Sequence, residues 1–301
     1  MALLHTHAGE GELFSEILRE VLLHGLLDTL KLLPILFLTY LLMEFIEHKA
    51  SDKVSAFMKR AGSLGPLAGG ALGALPQCGF SAAAANLYAA RVVTVGTLVA
   101  VFLSTSDEML PILISGGMSG GKIALVLGYK TLCGILVGFA VDFALRLMKK
   151  GGEEINIDAI CDEDNCHCER GIFYSALHHT LTISLFVLLV TLGLNALMFF
   201  ADLSAVAEAV RGIPVISHLI SAVVGLIPNC AVSVALTGLY TGGVIGAGTM
   251  IAGLFSGAGV GLLVLFRVNK SVKENLCIMT VLVFSGVVFG SLFDLIFSGV
   301  V

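Results

Sequence analysis

The chain has 301 residues, of which 57% are hydrophobic and 13% charged, with a net charge of −5 and a mean hydropathy of +0.98. Soluble proteins carry about 25% charged residues, so this composition excludes an ordinary soluble enzyme, and without a basic patch it gives no footing for nucleic acid. It predicts an all-α polytopic membrane protein whose first partner is the lipid bilayer.

In chain order, residues 1–20 form an acidic tail with His5 and His7 and lack the basic start and short apolar core of a signal peptide. The first span covers 21–46. His24, Asp28 and Lys31 are spaced i, i+4, i+7 on it and so share one helix face. A basic loop with Lys49, Lys53, Lys59 and Arg60 follows. The stretch 64–90 is rich in Gly and Ala and is interrupted by Pro76-Gln77-Cys78. About 12 residues on either side of the break reach about 18 Å, roughly the bilayer midplane, which predicts a re-entrant hairpin rather than a full crossing. Spans at 92–115 and 122–147 complete a first transmembrane repeat, 21–150. A polar acidic loop, 151–170, leads to a second repeat, 171–301. Its elements are a span at 172–200, a second hairpin at 213–240 broken by Pro228-Asn229-Cys230, and spans at 244–266 and 276–297. Six spans and two hairpins of two arms make about ten membrane segments. Trp is absent, so interfacial anchoring falls to Tyr, Phe, Lys and Arg.

One offset relates the halves. Pro76 and Pro228 lie 152 positions apart, and so do Cys78 and Cys230, Ser81 and Ser233, Tyr88 and Tyr240, Gly96 and Gly248, Ser104 and Ser256, and Asp142 and Asp294. This is an internal duplication. Three full spans plus one returning hairpin per half predict inverted repeats. The distribution of positive charge agrees. With re-entrant hairpins, the Lys49–Arg60 loop, Arg91, Arg146, Lys149, Lys150, Arg170, Arg267, Lys270 and Lys273 share one face, while Arg19, Lys122 and Arg211 occupy the other. The positive-inside rule then places both termini outside the cytoplasm.

Three groups of residues carry candidate chemistry. At the hairpin tips, Pro frees backbone groups that must be satisfied by protein or line a cavity. Gln77, Cys78, Ser81, Asn229, Cys230 and Ser233 are the candidate substrate-binding set, with two thiols near helix N-termini that favour a thiolate or an anion. Alternatively, both Cys serve as small buried hydrophobes. The second group breaks the symmetry. Asp28, Lys31, Asp107, Glu108 and Lys130 are intramembrane charges, and positions 259, 260 and 282, matching Asp107, Glu108 and Lys130, hold Gly, Val and Leu. Each such charge costs at least about 2.5 kcal/mol at mid-depth unless paired or hydrated. The set reads as a proton- or cation-coupling relay, with Asp107 the group that titrates, or as a static ion-pair network. The third group, Cys161, Cys166, His167 and Cys168, lies in the acidic loop. Thiolates and an imidazole suit soft metals, although the spacing is not that of a regular zinc site. His178 and His179 could extend it or be interfacial polar residues.

The stretches "ALPQCGFSAAAANLYAARVVTVGTLVAVFLSTSDEMLP", "CHCERGIFYSALHHT" and "PNCAVSVALTGLYTGG" resemble the ten-segment heavy-metal exporter family related to the ArsP permeases, whose members are labelled arsenic efflux protein or manganese transporter. The resemblance implies a transporter more strongly than any one ion.

The function class that fits is a secondary exporter of a heavy metal or metalloid, coupled to a proton or cation gradient and seated in a bacterial or archaeal inner membrane. A manganese transporter using Asp107 and Glu108, or a transporter of an organic or oxyanion substrate, are the alternatives. A membrane thiol-redox enzyme using Cys78 and Cys230 ranks below them. No GxxxxGK[ST] phosphate loop is present. No cofactor is required on this reading, and a metal ion enters as substrate. Homo-oligomerisation is left open.

Overall fold

The computed structural model describes residues 64–75, 79–106, 109–147, 172–200 and 214–297, with scattered positions between 23 and 41; within 172–200 and at 214, 230 and 231 some positions are described by backbone alone. Every regular element among them is a helix. These are α1 (Gly65–Gly73), α2 (Gly79–Ala89), α3 (Val95–Ser104), α4 (Met109–Ser115), α5 (Gly120–Leu147), α6 (Ile172–Phe200), α7 (Pro214–Gly225), α8 (Cys230–Thr241), α9 (Ala247–Ser256), α10 (Val260–Val268) and α11 (Val272–Phe297). The segments Val95–Ser115, Gly120–Leu147, Ala247–Val268 and Val272–Phe297 are each long and apolar enough to cross a bilayer.

The spans expected over 92–115 and 244–266 are present as Val95–Ser115 and Ala247–Val268, and within each the helix is interrupted. α3 stops at Ser104 and Thr105 turns to ψ 126; α4 is described from Met109. Thr105 Oγ1 donates back to the Val101 carbonyl (2.8 Å), and Ser106 Oγ donates to the Ala74 carbonyl (2.9 Å). Such side-chain bonds compete with the helical ladder. In the second half α9 stops at Ser256, and Gly259, at φ 53, turns the chain into α10. That left-handed conformation is one that glycine adopts without a steric penalty.

Packing recurs from one half to the other. Gly65 lies against Thr94 and Thr97, and Gly73 against Val101 and Ser104, so α1 and α3 run side by side in the same direction. α5 runs against them, with Gly138 at Gly96 and Gly134 at Ser104. In the second half Ser256 Oγ donates to the Ala222 carbonyl of α7 (2.6 Å), and α11 runs against α9 with Gly290 at Gly248. These small residues let the helix backbones approach closely, the usual basis of helix packing in lipid. α3 and α9 form the centre: Gly96–Ser104 and Gly248–Ser256 are buried throughout. The outward faces of α5 and α11 are also apolar, with Leu132, Leu136, Phe143, Phe284, Leu292 and Leu295 exposed, as lipid contact requires. The halves interlock crosswise: α2 packs on α10, and α8 packs on α4.

Asp142 and Asp294, paired by the 152-residue offset, do the same structural work. Asp142 Oδ1 accepts the Gly96 N–H (2.8 Å) and Oδ2 accepts Thr94 Oγ1 (2.7 Å) at the start of α3. Asp294 Oδ1 accepts the Gly248 N–H (2.7 Å) at the start of α9, and its Oδ2 pairs with His218 Nε2 (3.0 Å). Each carboxylate closes orphan N–H groups at a positive helix end.

Candidate functional site

The interruptions of the helices meet at the centre of the molecule. Ser106, in the break between α3 and α4, is tied to Ala74 at the end of α1. The end of α7, at Gly225, lies against Gly253 and Ser256 at the end of α9. The start of α2 reaches the break in the other half: a Cβ on Gly261, second residue of α10, would stand 2.6 Å from Ser81 Cβ and 2.8 Å from the Ser81 carbonyl carbon. Only glycine permits that approach. The helix ends at Ala74, Ser106, Gly225 and Ser256 and the helix starts at Ser81 and Gly261 are therefore linked by direct contacts.

Of the sequence-predicted substrate set, Ser81 is fully buried in this contact. Asn229 is buried at the entrance to α8, where its carbonyl accepts the Val232 N–H (3.2 Å). Ser233 is buried one turn further on. Cys230 is the first residue of α8, and its side chain, like Gln77 and Cys78, lies outside the described residues. The hydroxyls of Ser104 and Ser221, beside the ends of α3 and α9, are buried with no hydrogen-bond partner among the described residues. The neighbourhood thus carries unused polar groups in an apolar surround, a state that is costly unless a guest or water completes it.

Of the coupling set, Asp28, Lys31, Asp107 and Glu108 lie outside the described residues. Lys130 is fully buried on α5. Its Nζ donates to the Thr105 carbonyl at the end of α3 and to the Leu254 carbonyl in the last turn of α9 (2.8 Å). The Phe255 ring centroid lies 5.9 Å away. One ammonium from the first half therefore reaches the ends of both central helices. The loop set Cys161, Cys166, His167 and Cys168 lies outside the described residues, as does the side chain of His179, and His178 is exposed on α6. Among the described residues no three His, Cys, Asp or Glu side chains converge as metal ligands.

Electrostatically the neighbourhood has both signs. α2 and α8 begin here and direct N–H groups inward; α1, α3, α7 and α9 end here and present carbonyls. Sequence reasoning did not find the Thr105 and Leu254 carbonyls, because a backbone acceptor has no side-chain signature. It missed the break after α9 as well, for which Gly257 and Gly259 were the available signal. It paired Asp294 with Asp142 but did not find the partner of Asp294, the buried His218.

A family model for 10TM heavy-metal exporters, ArsP_2, matches residues 19–196. The matched region includes α1–α5, Asp107, Glu108 and Lys130, the Cys161–Cys168 stretch and most of α6; Pro228-Asn229-Cys230 lies beyond it. No curated protein and no solved structure matches the chain.

Proposed function

The chain belongs to the 10TM heavy-metal exporter family, and from that premise we propose that it is a secondary-active exporter of a soft metal or metalloid, with its substrate site at the meeting point of the helix breaks. The observation that carries the reading is the crosswise packing of α2 on α10 and α8 on α4, with Ser81 of α2 against Gly261 of α10; it supports a site at the interface between the halves. Transport at a fixed central site between inverted repeats uses discontinuous helices of this kind. In this proposal α1 with α2, and α7 with α8, are re-entrant hairpins entering from opposite faces; both termini are extracytoplasmic and the membrane is the inner membrane. The parallel course of α1 and α3, with α2 leading into α3 through the short turn at 90–94, supports that path.

Gln77, Cys78, Ser81, Asn229, Cys230 and Ser233 are proposed as substrate ligands, Asp107 as the coupling carboxylate in the Asp28, Lys31, Glu108 and Lys130 charge set, and Cys161, Cys166, His167 and Cys168 as an auxiliary soft-metal site. The test is a growth-resistance screen across arsenite, zinc, copper and manganese in a sensitive host, comparing the intact protein with Cys78→Ser, Cys230→Ser and Asp107→Asn. Resistance to a thiophilic species lost in both Cys variants supports the proposal. Resistance only to manganese, lost in Asp107→Asn and kept in both Cys variants, replaces it with the carboxylate-site reading.

A further inference from the structure

Lys130 sits where two helices end, and its ammonium touches a carbonyl at each of those ends. In an unbroken helix the Leu254 carbonyl would accept the N–H of residue 258. Here Ala258 N–H goes to the Ser256 carbonyl (3.0 Å). In the same way Met109 N–H goes to the Ser106 carbonyl (3.1 Å), not to Thr105. These two acceptors of the Lys130 ammonium therefore lie at negative helix ends, where carbonyls are left over from the helical ladder. They come from opposite halves of the molecule, and the position is fully buried.

The equivalent position in the other half carries no second cation. Leu282, 152 residues on, is also fully buried on the matching face of α11. One cation thus serves two helix C-termini. The same helix, α5, holds both ends of α3: Asp142 at its positive end and Lys130 at its negative end. α9 has Asp294 from α11 at its positive end but takes the positive charge at its other end from α5.

Carbonyls released at half-helix C-termini in a membrane interior are the chemistry with which proteins coordinate small monovalent cations. We propose that the Lys130 ammonium occupies a monovalent-cation site built from the ends of α3 and α9, so that the protein carries covalently the cation that such a site otherwise takes from solution. The two halves are joined at their breaks without dissolved sodium or potassium. It follows that the ends of α3 and α9 need neither ion for stability in the intact protein, and that removing the ammonium while leaving space uncovers a site for them.

The experiment uses the full chain purified in detergent, with thermal unfolding followed in sodium, lithium, potassium or methylammonium chloride against choline chloride at equal ionic strength. The wild type should unfold at one temperature in all of them. Lys130→Ala should unfold earlier in choline and recover at least half of the loss, saturably, with one of the small cations. Lys130→Leu, which copies Leu282 and fills the space, should show no cation response. If Lys130→Ala cannot be extracted folded in choline, recovery of monodisperse protein in a small cation is the readout. A Lys130→Ala protein that no small cation restores overturns the proposal, as does a wild type that responds to sodium as strongly as the variant. The readout involves no exported substrate, so failure here leaves the exporter reading standing, and failure of the resistance screen leaves this one standing.

Discussion

The Arg91 guanidinium, in the turn between α2 and α3, stands 3.2 Å from the Glu274 carboxylate in the first turn of α11, joining the two halves at one face of the molecule. Tyr88 Oη donates to the same carboxylate (2.8 Å), and Arg91 Nη1 donates to Tyr88 Oη (3.2 Å). Asn269 adds a further donor to Glu274 (3.3 Å) and is itself held by Asn275. Arg91 holds this position with φ 58, where the matching residue of the second half is Gly243, at φ 71. A left-handed non-glycine residue costs about 1 kcal/mol or more, so the turn tolerates strain in order to place this side chain.

That strain gives the clamp a signature. Arg91→Ala should lose the ion pair and keep the strain, whereas Arg91→Gly should lose the ion pair and relieve it. The glycine variant should therefore be more stable than the alanine variant by about 1 kcal/mol. A double-mutant cycle of Arg91→Ala with Glu274→Gln should show a coupling of about 0.5–1 kcal/mol, shrinking at high salt because the pair is partly exposed. Unfolding temperatures of the variants in detergent measure both, and an alanine variant as stable as the glycine variant would sink the idea.

The two carboxylate caps should differ in strength. Asp142 is buried and accepts two short hydrogen bonds, whereas Asp294 has a side chain 39% exposed and shares its second oxygen with His218. Asp142→Ala should destabilise by about 2–3 kcal/mol, since it leaves the buried Gly96 N–H without an acceptor and removes the acceptor of the Thr94 hydroxyl. Asp294→Ala should cost about 1–2 kcal/mol, because water can replace part of what is lost. Equal losses in thermal unfolding would mean that burial does not set the strength of these caps.

Close approach at the interface between the halves makes Gly261 intolerant of even one carbon. Gly261→Ala brings a Cβ into the backbone of Ser81, which the flexible end of a side chain could avoid and a backbone cannot. The cost should be about 1–3 kcal/mol, with loss of transport as α2 separates from α10. Gly128, on α5, is the control, since a Cβ there meets nothing within 4 Å. Gly128→Ala should be neutral or stabilising by up to about 1 kcal/mol, because helix propensity alone acts. The comparison is made on expression level, unfolding temperature and resistance of the host, and a Gly261→Ala protein indistinguishable from Gly128→Ala would show that α2 and α10 are not held this closely.

Much of the architecture could be read without coordinates. The hydropathy of 57% apolar residues identifies a helical membrane protein, since only a chain that satisfies its own backbone can be this apolar over such lengths. The constant offset from Pro76–Pro228 to Asp142–Asp294 reveals the duplication, and the helix starts at Gly79 and Cys230 lie where the Pro-polar-Cys elements break the chain. Each of these signals is local: an apolar run, a proline, a recurring spacing.

The sequence by itself thus determined the class of protein, its internal duplication and the breaks that proline makes. Tertiary structure alone decided that the segments 95–115 and 247–268 are also divided, because an apolar stretch reads the same whether its helix is continuous or broken by serine, threonine and glycine. It also decided what Lys130 touches. The residue stands out as a buried charge, but the Thr105 and Leu254 carbonyls it donates to are invisible in the sequence. Every residue has a carbonyl, and it becomes a ligand only where a helix ends beside a neighbour that brings the opposite charge.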